Sequence, residues 1–79
     1  MIPKTTTYYG KKYGLVYYTK SKSEINIYSR ILDRIFDEYD YAHPEKLIKN
    51  TKLLILVEHN DYGHFIYVKK PFDKIIKMI

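Results

Sequence analysis

SKSEINIYSRILDRIFDEYDY, residues 21–41, is the stretch on which the architecture turns. Ser21-Lys22-Ser23-Glu24 has the spacing of a capping box, with the Ser21 hydroxyl on an orphan amide and Glu24 reaching back to the cap. Ile25, Tyr28, Leu32, Ile35 and Tyr39 then recur at intervals of three and four, while Ile31 and Phe36 widen the stripe. This period predicts a long amphipathic helix reaching about Tyr41. Glu24 to Tyr28 also alternates, so an extended first turn is the other reading of those five residues. His43-Pro44-Glu45 ends the helix, because the residue before a proline avoids the α conformation. Pro44 to Lys49 can add one short turn.

Strand signals flank the helix on both sides. Thr5 to Tyr9 and Leu15 to Thr19 are rich in β-branched and aromatic residues and surround Gly10-Lys11-Lys12-Tyr13-Gly14, which predicts a hairpin with that five-residue connection. With Gly14 left-handed after a type I turn, Tyr9 faces Tyr17 and Tyr8 faces Tyr18. Beyond the helix, Lys52 to His59 is the most apolar run. Asn60-Asp61-Tyr62-Gly63 then suits a type I turn into a strand from His64 to Lys69. In that register Leu54, Leu56, Ile66 and Val68 share one face, and Leu53, Ile55, Val57, Phe65 and Tyr67 share the other. Both faces are apolar, so one helix cannot cover them. The second cover is either the amphipathic segment opened by Pro71-Phe72-Asp73, with Ile75, Ile76 and Ile79, or a second subunit. Leu53, Ile55, Val57, Phe65 and Tyr67 are therefore the expected interface of a homodimer or partner complex.

The expected architecture is an α+β domain over residues 1–79 in the order ββα(α)ββα: a four-stranded, mostly antiparallel sheet of two hairpins, with the long helix on one face and a short C-terminal helix. At 79 residues the core is thin, and with no cysteine neither disulfides nor thiolate metal ligands support it. The opening Met1-Ile2-Pro3-Lys4 lacks the apolar run of a signal peptide, and the longest apolar stretch, Leu53 to Val57, is too short to span a bilayer. A soluble cytoplasmic protein with no membrane role is expected. Lys outnumbers Arg by 12 to 2, with Ile and Tyr abundant and a single Ala. Such usage follows AT-rich codons, as in the genomes of many phages and mobile elements.

Charge is segregated along the chain. Residues 1–22 sum to +5, residues 23–45 to −4 and residues 46–79 to +4, giving poles that can steer a charged partner or a second copy. Asp37, Glu38 and Asp40 lie at the C-terminal end of the helix, where the macrodipole disfavours carboxylates. Either a basic partner or neighbouring lysines of the same fold must offset them. His59 and His64 flank the second turn, near Glu58, Asp61 and Tyr62. The type I register pairs Asn60 with His64 and sends the two rings to opposite faces; only a register one step tighter sets them across from each other. Neither a third ligand nor a nucleophile is placed beside them, so no metal, cofactor or catalytic site is expected.

Ten tyrosines among twelve lysines suit a gripping surface, since each ring carries a polar tip. The densest mixture is Lys11-Lys12-Tyr13-Gly14-Leu15-Val16-Tyr17-Tyr18. It resembles the RNP1 octamer of RRM and cold-shock domains, in which a basic residue, a glycine and alternating aromatics set rings on a sheet for bases to stack on. Lys11, Tyr13, Gly14, Val16 and Tyr18 fit that pattern; Lys12 stands in place of a glycine and Leu15 in place of the central aromatic. The likeness covers eight residues, and the order of elements differs from both families. The expectation is a non-enzymatic binding protein, of the phage or mobile-element accessory kind, that holds nucleic acid or a nucleic-acid-handling target. Tyr8, Lys11, Lys12, Tyr13, Tyr18 and Lys20 are its expected contacts. The alternative is a protein-binding inhibitor acting through the apolar sheet face or an edge strand.

Overall fold

The computed structural model describes residues 4–77. Its elements are β1 (Thr5–Tyr8), β2 (Lys11–Thr19), α1 (Lys22–Ala42), a 3₁₀ turn (Ile48–Asn50), β3 (Ile55–Asn60), β4 (Gly63–Lys69) and α2 (Asp73–Lys77). The four strands form one antiparallel sheet in the order β1-β2-β4-β3, so the α+β architecture is the expected one. Ile79, assigned to the apolar side of the C-terminal segment, lies outside the described residues.

α1 begins where the capping residues place it. Ser21 Oγ accepts from the Glu24 amide at 3.4 Å, which makes Ser21 the N-cap. The reciprocal half of the box does not form. Glu24 instead takes the Thr19 hydroxyl at 2.7 Å and the Tyr17 hydroxyl at 3.2 Å, and the Ser21 amide donates to Thr19 Oγ1 at 3.0 Å. These bonds tie the end of β2 to the first turn of the helix, and that turn is helical rather than extended. Ile25, Leu32 and Phe36 are buried against the sheet. Ile31, expected to widen this stripe, points outward and is exposed.

Both hairpins are tighter than their sequences predict. The first turns through Tyr9-Gly10 alone, at φ 49° and 73°, and pairs Tyr8 with Lys11 and Thr6 with Tyr13. Two residues at positive φ match the twist of the strands they join, so the ladder starts at Lys11 in place of a five-residue loop. The expected Tyr9/Tyr17 and Tyr8/Tyr18 pairs are absent. Tyr17 stacks on Tyr28 of α1, centroids 3.9 Å apart, and Tyr18 lies 4.9 Å from Phe65. An irregularity between Leu15 and Tyr17 lets both Val16 and Tyr17 pack on the helix side.

The second hairpin turns through Asp61-Tyr62 and pairs Asn60 with Gly63 and His59 with His64. Gly63 is a strand residue with φ 142°, and a Cβ there would lie 2.8 Å from both the Thr19 carbonyl oxygen and the Tyr18 ring. Glycine is required here twice over, by this close approach to β2 and by a positive φ that other residues rarely adopt. The one-step change reverses the expected faces. Ile55 and Val57 now pair with Val68 and Ile66, while Leu56 pairs with Tyr67 and Glu58 with Phe65.

Two clusters result. On the helix side Ile25, Leu32, Phe36, Ile48, Leu54, Ile66, Val68 and Ile76 are buried together, with Phe72 and Ile75 against them. α2 therefore joins α1's face, contrary to its expected place over the other one. Gly14 makes room for it: a Cβ on Gly14 would fall 2.1 Å from the buried Asp73 carboxylate. On the other side Tyr13, Phe65 and Tyr67 are buried among Leu15, Tyr18 and Leu56, all of them strand residues.

Candidate nucleic-acid interface

Six residues were expected to form one surface, and the fold divides them. Tyr8, Lys11 and Lys12 are exposed around the Tyr9-Gly10 turn. Lys20 is exposed at the other end of β2, and eight strand steps of about 3.3 Å put the two ends roughly 26 Å apart. Tyr18 is half-buried and donates its hydroxyl to the Tyr62 carbonyl. Tyr13 is buried, its hydroxyl donating to the Leu53 carbonyl at 2.6 Å. The tighter turn causes this, because it moves Tyr13 out of a loop and onto the ladder opposite Thr6. Tyr13 is therefore a core residue and not a stacking ring, and the likeness to RNP1 has no exposed platform behind it.

Tyr9 takes its place. No binding role was read for it, yet its ring is 81% exposed, the backbone beneath it is left-handed, and it meets Tyr8 edge-on with centroids 4.5 Å apart. The signal for it in the sequence is the Tyr-Gly dipeptide between two strand-like runs, which suits a two-residue turn as well as Gly14 suits a longer one. Charge repulsion from Tyr9, with a hydrogen bond between the two side chains, raises the Tyr8 phenol above its ordinary value. The hairpin tip thus presents two aromatic rings with the ammonium groups of Lys11 and Lys12 on adjoining positions.

The expected interface residues also separate. Leu53 and Val57 are exposed and Ile55 is half-buried, whereas Phe65 and Tyr67 are buried on the opposite side of the sheet from Ile55 and Val57. Burial, with Glu58 as a second cause, raises the Tyr67 phenol above its ordinary value. These five side chains do not make one patch. Another exposed apolar site lies on α1, where Ile27 and Ile31 alternate with Arg30 and Arg34 around a shallow depression of about 260 Å³.

The acidic end of α1 is offset from within the chain. Asp40 accepts from the Ile48 and Lys49 amides at 2.7 and 2.8 Å, and Lys49 Nζ lies 2.9 Å from Asp33 and 3.5 Å from Asp37. Hydrogen bonding to Asp33, ahead of the attraction of both carboxylates, raises Lys49 above its ordinary value. The two histidines, expected on opposite faces, are cross-strand neighbours with Nδ1 atoms 2.6 Å apart. No helix among the described residues is long and apolar enough to cross a membrane. The chain matches no family model, no curated protein and no solved structure in comparisons with each.

Proposed function

We propose that this protein binds single-stranded nucleic acid through the tip of the β1–β2 hairpin, with Tyr8 and Tyr9 stacking on unpaired bases and Lys11 and Lys12 holding phosphates. The observation that carries the reading is Tyr9, a large ring held in solvent at φ 49°, a conformation that disfavours residues other than glycine and asparagine. Single strands expose the base faces that such rings need, and adjacent ammonium groups displace counterions from the backbone. Lys20, at the far end of β2, is outside the tip.

Fluorescence anisotropy with labelled single- and double-stranded DNA and RNA, at low and at physiological salt, tests this. The expected result is binding that favours single strands and weakens steeply with salt. Lys11→Glu with Lys12→Glu then lowers the log–log salt slope by roughly 1.4–1.8, the loss of two phosphate contacts. Lys22→Glu with Arg30→Glu, on α1 where it leaves the far end of β2, makes the same change of net charge and leaves most of the affinity in place. Equal losses in the two pairs, or no binding at low salt, would sink the assignment.

A second reading is favoured by α1. Ile27 is 58% exposed and shares its face with Ile31, Arg30 and Arg34, an apolar and cationic combination that suits a protein partner. It accords with an accessory protein that inhibits or adapts a nucleic-acid-handling enzyme. Partner capture that survives the Lys11/Lys12 change and is lost on Ile27→Asp with Ile31→Asp would select it.

A further inference from the structure

We propose that His59 and His64 form a two-imidazole site for a divalent late transition-metal ion such as Zn²⁺, Ni²⁺ or Cu²⁺. The two residues are direct partners across β3 and β4, and their rings meet edge-on with centroids 4.8 Å apart and Nδ1 facing Nδ1 at 2.6 Å. Two ring nitrogens at that distance share one proton: one Nδ1–H donates to the lone pair of the other. The two Nδ1 atoms thus already face each other, and once the donor ring's proton has moved to its Nε2 an ion can take the place between two Nδ1 lone pairs. At a metal–nitrogen distance of about 2.0–2.1 Å and a tetrahedral angle, two ligands on one ion sit roughly 3.3 Å apart. The rings need to part by less than about 1 Å, within the reach of small side-chain rotations.

The backbone under the pair is braced. Gly63 is seated against the Thr19 carbonyl and the Tyr18 ring, and the Tyr18 hydroxyl binds the Tyr62 carbonyl in the turn itself. Asn60 Oδ1 accepts from the Tyr62 amide at 2.8 Å, which fixes the other side of the turn. His59 is exposed and His64 half-buried, so an ion and its waters can reach both rings. Among the described residues no group of three or more His, Cys, Asp or Glu side chains is placed to hold a metal. Two imidazoles with water in the remaining positions therefore define an open site, which selects nitrogen-preferring ions over oxygen-preferring Mg²⁺ and Ca²⁺. The site sits at the β3–β4 turn, at the opposite end of the sheet from the β1–β2 tip, and does not depend on nucleic-acid binding.

Untagged protein, labelled with ¹⁵N, is titrated with zinc chloride or nickel chloride while backbone and imidazole resonances are followed; magnesium chloride serves as the control. One equivalent per chain is expected to perturb the rings of His59 and His64. Each of His59→Gln and His64→Gln weakens binding at least tenfold with the backbone spectrum otherwise native, His43→Gln leaves affinity unchanged, and magnesium has no effect. The proposal is overturned if zinc and nickel leave both rings unperturbed, if either single variant keeps the native affinity, or if His43→Gln lowers it equally.

Discussion

Tyr9 sits with φ 49° in the first position of a turn whose two central residues both need positive φ, and Gly10 fills the second at 73°. Asn-Gly is the favoured pair for such a turn, so Tyr9 keeps its ring in solvent at a cost in stability. Tyr9→Asn is expected to raise stability by about 1 kcal/mol in urea unfolding while weakening single-strand affinity in the anisotropy assay. A variant that is both more stable and fully competent to bind would remove Tyr9 from the interface. Tyr13 makes the opposite case. Its buried hydroxyl serves the carbonyl of Leu53, itself at φ 53°, so Tyr13→Phe is expected to cost about 1 kcal/mol and leave binding unchanged. At this scale the sequence announces that tyrosines matter but not which ones. Their roles depend on a register that two residues of turn geometry decide.

Among the elements, α1 was legible because its signals agree: a serine cap, a sustained 3–4 period and a proline stop all mark the same segment. Strand identity was legible for the same reason, through β-branched and aromatic runs bounded by glycines. Registers were not, since Gly10 and Gly14 each suit a turn, and so do two different pairings across Asn60 to Gly63. The choice is made by packing that no local window contains: α2's Asp73 against Gly14 and Tyr18 against Gly63. Gly14→Ala places a Cβ 2.1 Å from the Asp73 carboxylate and is expected to displace α2 and cost roughly 1–3 kcal/mol, read as a lower urea midpoint. The acidic end of α1, which breaks the macrodipole rule in sequence, is explained by the segment that follows it. Asp40 supplies the acceptors for two amides of the 3₁₀ turn, and Asp40→Ala is expected to cost about 1–2 kcal/mol, again measured by urea unfolding.

Across the whole molecule, four groups in four separate settings shift the same way. Hydrogen bonding to Asp33 raises Lys49, burial raises Tyr67, burial with Glu24 beside it raises Tyr17, and Tyr9 raises Tyr8. Each folded-state value lies above its ordinary one, 10.0 for tyrosine and 10.5 for lysine, so the native chain holds protons that the unfolded chain releases in that range. Where the unfolded state binds fewer protons, stability falls as pH rises. The contribution is complete below the ordinary values and is lost as pH climbs through the raised ones. The urea midpoint is therefore expected to stay level to about pH 9 and to drop steeply above about pH 10. Lys49→Met removes one of these groups, and the drop in that variant should be shallower. Tyr67→Phe should act likewise, because burial and the nearby Glu58 carboxylate both resist the phenolate there. A midpoint that holds constant through pH 11 would show that these contacts do not distinguish the two charge states.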